Sequence, residues 1–363
     1  MHMKNNTSLA LWLGAVLLCA AGAAPAQDAD AWQFPVKERT PAFSKDGVWK
    51  DAVYKPLPRS EVSKKWHLCV LFPHTKDPYY LAMTYGAVKE AEAKGAALNV
   101  FAAGGYTELP TQISQMEDCI SRGADGIAMV AISATGLNRT IAKAADQGVP
   151  VAITGGDVTS DRVAARAQGN WFDAGRLVGE YLKQRHPAGS KKVKVIWLGG
   201  PEAPRWSKDS ADGFLATVKD ADNIEVLKVI WGEPSKAAQI PLIEDALLAY
   251  PDIDYIAGIA PGIAAGIQVL KEKNRTDIGL ISSYTTPETE AGLRDGSVRA
   301  IASDYTAAQA RAAIDQLIRI LEKKPVMQDV DTGFTIIDQA TVKTYQRDLS
   351  LAPEGWTPYF EVK

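Results

Sequence analysis

Histidine is nearly absent from this chain: there are four among 363 residues, His2, His67, His74 and His186. Cysteine is equally scarce, with Cys19, Cys69 and Cys119 far apart in sequence. No pair of these residues has the close spacing of a zinc site, so no metal is expected. The motifs H-E-x-x-H, G-x-S-x-G and G-x-x-x-x-G-K-[ST] do not occur. No G-x-G-x-x-G follows a strand-like run, which removes the usual turn for a dinucleotide; Gly258, Gly262 and Gly266 are read as packing positions. No long basic run exists, and the formal net charge is −3, so nothing favours nucleic acid. These absences speak against an enzyme and against a bound cofactor. They leave a protein that binds something without transforming it.

The single long apolar run lies at the start. Lys4 precedes an apolar stretch from Leu9 to Ala23, and Ala24-Pro25-Ala26 supplies an A-x-A cleavage site. Residues 1–26 therefore read as a signal peptide cut after Ala26. A membrane anchor is the other reading, but the run is short for a span and polar, Pro-containing sequence follows directly. Lipidation of Cys19 is disfavoured by the bulky Leu18 before it. Cys69 and Cys119 remain in the exported chain. In an oxidising compartment they can form one bridge, or they can be two small buried side chains.

The remaining length suits two domains. Residues 27–65 show no sustained period and carry Trp32, Phe34, Trp49 and Tyr54; they read as an extended leader docked on the surface. From Trp66 onward, apolar strand runs alternate with amphipathic helices. Trp66 to Pro73 (HLCVLF) is a buried strand, and Tyr79 to Lys94 a helix with Leu81, Tyr85, Val88 and Ala91 on one face. Similar units recur through 66–170 and again through 171–303. This pattern predicts an α/β protein with parallel sheets covered on both faces. Two doubly wound lobes of five or six strands, joined by a multi-strand hinge, are more natural than one sheet of ten. The expected division is 66–170 plus 304–328 for the N-terminal lobe and 171–303 plus 329–363 for the C-terminal lobe.

Open parallel sheets bind ligands beyond the carboxyl ends of their strands. Aromatic residues recur there in both halves: Tyr80, Tyr106, Trp171 and Tyr284, with Tyr79 and Trp206 at two of the same ends. Any one of these is ordinarily loop packing. Four converging on one cleft suit a quaternary ammonium or another ligand with an apolar body. Asp77, Asp304 and Arg205, with Asp157, are the candidate polar contacts. A sugar could stack on the same rings but needs many hydrogen-bonding side chains.

WHLCVLFPHTKDPYYLAMTYG (66–86) and FAAGGYTELPTQISQMEDCISRGADGI (101–127) resemble the TorT-type periplasmic sensor proteins. The resemblance continues at NWFDAGR (170–176), GGPEAPRWSKDSADGF (199–214), PDIDYIAG (251–258), SSYTT (282–286) and ASDYTAAQA (302–310). It implies a type 1 periplasmic binding protein fold, a periplasmic location and a membrane sensor histidine kinase as partner. It also implies trimethylamine N-oxide as ligand, held in an aromatic box of Tyr80, Tyr106, Trp171 and Tyr284. The family pairing supports a Cys69–Cys119 bridge. The sequence departs from the family at Tyr80, where tryptophan is usual, and around Arg205-Trp206, where a small Gly-rich stretch is usual. The alternative function is the solute-binding subunit of an ABC importer for a sugar or other polar solute, with a permease as partner.

Overall fold

The structure is a computed structural model that describes residues 1–2 and 32–363. The signal peptide and its cleavage after Ala26 fall on residues outside the described ones.

The chain opens with β1 (Phe34–Thr40) and β2 (Val48–Tyr54). The first half follows as β3 (His67–Phe72), α1 (Pro78–Lys94), β4 (Ala97–Ala102), α2 (Leu109–Ser121), β5 (Gly126–Met129), α3 (Asn138–Asp146), β6 (Val151–Thr154) and β7 (Ala165–Gln168). The second half is α4 (Trp171–Arg185), β8 (Val193–Gly199), α5 (Arg205–Val218), β9 (Ile224–Trp231), α6 (Lys236–Ala249), β10 (Tyr255–Gly258), α7 (Ala260–Glu272), β11 (Gly279–Ser282), α8 (Pro287–Asp295) and β12 (Val298–Asp304). The chain ends with α9 (Thr306–Leu321), β13 (Asp329–Asp331), β14 (Phe334–Asp338), α10 (Arg347–Ser350) and β15 (Glu361–Val362).

The strands form two sheets. One runs β15-β4-β3-β5-β6-β7-β13-β1-β2 and the other β14-β12-β11-β10-β8-β9. Within each, the five consecutive strands of one half lie parallel in the same order, 2-1-3-4-5, so the halves are topological repeats. The central strands β5, β6 and β11 are buried along their whole length, as apolar runs between helical layers must be.

Local chemistry sets the helices that aim at the cleft. Asp77 caps α1 by accepting from the Tyr79 amide, Pro78 fixes the first turn, and Gly95 closes the helix in the left-handed region. Asn170 caps α4 in the same way, and Thr286 with Thr289 forms a capping box on α8. Helix α1 lies so close to α9 that a Cβ at Gly86 would sit 2.0 Å from the Ala307 carbonyl oxygen.

The chain crosses between the lobes after β7, after β12 and at Thr332-Gly333 between β13 and β14. Helix α9 returns to pack on α1 and the first sheet. The tail 329–363, expected whole in the C-terminal lobe, is divided instead. β13 pairs with β7, and β15 with β4, in the first sheet; only β14 joins the second, against β12. Elements this short carry no periodicity from which a lobe could be read.

The leader also differs from expectation. It is a full-register hairpin that extends the first sheet through β13, and not an extended strap over its surface. Phe34 and Val36 turn inward, and Trp32 stacks on Tyr54 at 5.7 Å. Trp32 Nε1 donates to Glu90 Oε2 at 2.7 Å and the Tyr54 hydroxyl to Asp315 Oδ2 at 2.8 Å, fixing the hairpin to α1 and α9. Cys69 on β3 and Cys119 on α2 are joined as a disulfide, with their Cα atoms 6.4 Å apart.

Candidate functional site

The strand ends of both sheets meet at the inter-lobe cleft. Asp77, Tyr79 and Tyr80 come from the start of α1, Tyr106 from the loop after β4, and Gly155 from the end of β6. Trp171 starts α4, Trp206 lies in the first turn of α5, Pro234 follows β9, and Tyr284 follows β11. Together they line one cavity. Its volume is about 10 Å³, roughly what one water needs. The rings meet edge-on or tilted: Trp171–Tyr284 at 5.8 Å and 87°, Tyr79–Tyr284 at 5.4 Å and 77°, Trp171–Trp206 at 5.6 Å and 58°. These are favourable separations for aromatic pairs, and they hold the ring faces at fixed angles around the cavity.

Hydrogen bonds lock most of the polar edges of these rings. The Tyr80 and Tyr106 hydroxyls share a 2.7 Å bond. The Tyr284 hydroxyl donates to Asp77 Oδ2 at 2.6 Å, and Asp77 Oδ1 accepts from the Tyr79 amide at 2.9 Å. Trp171 Nε1 donates to the Gly155 carbonyl at 3.1 Å. His74 stands behind, edge-on to Tyr80 at 4.9 Å and to Tyr106 at 5.4 Å. Burial, helped by the Lys76 charge, lowers its pKa to about 4, so the imidazole is neutral at neutral pH.

Burial also dominates the carboxyl groups. It raises Asp77 to about 7, against the pull of the Tyr284 hydroxyl and the Tyr79 amide and with the push of Glu288 and Asp304. It raises Asp304 to about 6, opposed chiefly by the bond from Thr306. Tyr79, Tyr80 and Tyr284 are all pushed well up, first by burial. The walls are therefore neutral π surfaces, with Asp77 the one lining carboxyl group.

The structure brings Tyr80, Tyr106, Trp171, Tyr284 and Asp77 together around this cavity. Asp304 does not line it. Its carboxylate turns back into α9, accepting from Thr306 Oγ1 at 2.8 Å and Gln309 Nε2 at 2.9 Å, and it holds the Tyr79 hydroxyl at 3.2 Å from behind. Arg205 does not line it either. It is 56% exposed and bridges the lobes, with Nη1 3.0 Å from Asp157 Oδ2. It borders a neighbouring polar chamber of about 190 Å³, lined by Arg39, Arg166, Asp157, Asp209, Asp329 and others, which shares Trp171 and Trp206 with the aromatic cavity. Tyr79 and Trp206 are the two lining rings that the four-ring reading leaves out. Both stand at strand ends, and that position was the available signal.

Residues 68–325 match the family model described as a periplasmic binding protein domain. The chain belongs to the periplasmic binding proteins. Within that family it is TorT-like: it is 30% identical over 329 residues to the periplasmic protein TorT of Escherichia coli K12, covering 88% of this chain and 93% of the relative. This periplasmic binding protein also resembles solved structures. An ABC transporter solute binding protein from Bradyrhizobium sp. BTAi1, with bound bis-Tris, superposes with a TM-score of 0.79 at 36% identity, covering 90% of this chain and 98% of that one. The complex of the TorS sensor domain with TorT in the presence of TMAO gives 0.74 at 28% identity, covering 82% and 100%. The ribose import binding protein RbsB of Escherichia coli K12 is more distant, at 20% identity over 225 residues, covering 62% and 74%. The two-lobed type 1 fold is common to these relatives, and the family is one of binding proteins and not of enzymes.

Proposed function

We propose that this protein captures trimethylamine N-oxide or a related methylated amine between its lobes and presents the closed form to a membrane sensor histidine kinase. The observation that carries the reading is the composition of the cavity lining: six aromatic side chains and a single carboxyl group, from both lobes. Methyl groups carrying partial positive charge gain from π faces, by about 0.5–2 kcal/mol for each contact. Tyr80, Tyr106, Trp171 and Tyr284 form the proposed box, with Asp77 as the polar partner. A pyranose would bring hydroxyls that need donors and acceptors, and the lining side chains offer few that are not already engaged. Similarity to TorT, and to TorT in complex with the TorS sensor domain, supports the kinase partner.

The resemblance to an ABC transporter solute binding protein favours a second reading, a solute receptor for an importer. A thermal-shift panel of trimethylamine N-oxide, glycine betaine, choline, pentoses and hexoses separates the ligand classes. A ligand at 100 times its Kd should stabilise the protein by about 2.7 kcal/mol. The expected outcome is a shift with methylated amines and none with sugars. A shift with a sugar and none with any methylated amine overturns the proposal.

A further inference from the structure

We infer that Trp206 is a ligand-contacting, specificity-determining residue: a fifth wall that closes the box from the C-terminal lobe and gives it an N–H donor for an oxygen on the ligand. The inference rests on the methylated-amine reading of the same cavity. Trp206 is 8% exposed and touches rings of both lobes, with Tyr106 at 6.0 Å and Trp171 at 5.6 Å. Its place is built for it. A Cβ at Gly200 would lie 2.4 Å from the far edge of the indole, so the ring occupies space that only glycine leaves free at that position.

The second observation is its nitrogen. The Trp171 indole, which faces the same cavity, is satisfied by the Gly155 carbonyl. The Trp206 Nε1 is buried and has no hydrogen-bond partner. It lies near enough to Tyr106 to favour that residue's ionised form, but without the geometry of a hydrogen bond. A buried donor left unpaired is costly, and native proteins rarely tolerate one without a reason. An acceptor on the ligand supplies the reason. Methyl groups face the rings while an N–O or carboxylate oxygen meets Nε1. The box then distinguishes an oxygen-bearing amine from a tetraalkylammonium ion of the same size.

Calorimetric titration of the parent, Trp206→Phe and Gly200→Ala with trimethylamine N-oxide and with tetramethylammonium tests this. The parent should prefer the N-oxide. Trp206→Phe, which keeps a ring and removes the N–H, should weaken N-oxide binding roughly tenfold or more and change tetramethylammonium binding by less than about threefold. Gly200→Ala should reproduce that loss by displacing the indole while leaving Trp206 intact. If the parent binds the N-oxide and Trp206→Phe binds it equally well, or loses both ligands in parallel, the donor role is overturned. If the parent binds neither compound, the methylated-amine reading itself falls, and this inference with it.

Discussion

Two cavities lie side by side between the same lobes and share Trp171 and Trp206 as a common wall, yet they are opposite in chemistry. The aromatic box has almost no free volume, and burial raises the pKa of its one carboxyl group to about 7. The polar chamber next to it is larger and is lined by charged groups that meet in pairs: Arg39 with Asp329 at 2.6 Å, Arg166 with Asp157 at 3.2 Å, Arg205 with Asp157 at 3.0 Å. The difference teaches that the two sides do different work at the hinge. Ring contacts lose most when they are removed, because nothing in water replaces them. A partly exposed pair such as Arg205–Asp157 loses little, because water and salt replace it readily, whereas Arg39 covers an Asp329 that is 1% exposed and would lose more.

The largest effect should come from breaking the box. Trp171→Ala removes a ring that touches Tyr79, Tyr284, Trp206 and Phe334, and should reduce methylated-amine affinity by more than about 100-fold. Because Trp171 is also buried in one hydrophobic cluster with Tyr79, Tyr80, Trp206 and Tyr284, the same change should cost about 3–5 kcal/mol of stability. Calorimetric titration below the melting transition separates the two losses. Retained affinity in a folded Trp171→Ala protein would mean that the ligand lies elsewhere.

A change remote from both cavities gives the control. Cys69 and Cys119 close a loop spanning 50 residues, and removing that constraint should cost about 4 kcal/mol on the chain-entropy estimate. Denaturant unfolding of the double serine variant would show it. Ligand affinity should stay within about twofold of the parent, since neither sulfur lines the box.

Much of this comparison is legible from sequence, and the remainder is not for definite reasons. Apolar strand runs such as HLCVLF and the strand-end rule are enough to find Tyr80, Tyr106, Trp171 and Tyr284, because in a doubly wound lobe strand ends must gather at one edge. The same rule cannot say where a side chain points after it leaves the strand. Asp304 stands at a strand end but turns into α9 to meet Thr306 and Gln309. Arg205 and Trp206 are neighbours, yet a helical step sends one to the solvent-facing bridge and the other onto Gly200 in the cleft. Tyr79 precedes Tyr80, and both reach the cavity because it faces the start of their helix. The hairpin β1–β2 is legible only as docked aromatics, since its inward alternation ends after Phe34 and Val36.

The contrast in charge state can be sharpened by pH. Asp77 has a folded pKa raised from 3.8 to about 7, so between those values the folded protein holds a proton that the unfolded chain has released. Stability from this group is therefore present at low pH and lost as pH rises through about 7, up to about 4 kcal/mol across the window. Asp304, raised to about 6, acts with the same sign. Asp77→Asn keeps the helix cap and should remove the Asp77 part of the slope in melting curves from pH 4 to pH 8. An unchanged slope would show that Asp77 stays ionised throughout. The groups facing it are Tyr284, Tyr79, Glu288 and Asp304, none of them cationic, so a tetraalkylammonium ligand should bind more tightly as pH rises through 7.

The smallest effect should come from the polar chamber. Arg205→Ala cuts the bridge to Asp157 across the lobes and the bond to Asp209 on its own helix, both on a side chain more than half exposed. Such pairs contribute about 0.2–1 kcal/mol, so affinity should fall only about two- to fivefold, through a less favoured closed form. The loss should shrink in 0.5 M salt, where the parent's bridge is already screened and the variant has nothing left to lose. Asp157→Ala should do somewhat more, because it also releases Arg166, which holds Asp157 from the N-terminal lobe. If Arg205→Ala instead abolishes binding at all salt concentrations, the chamber and the box are one site. Arg205 would then be a ligand contact and not a bridge beside it.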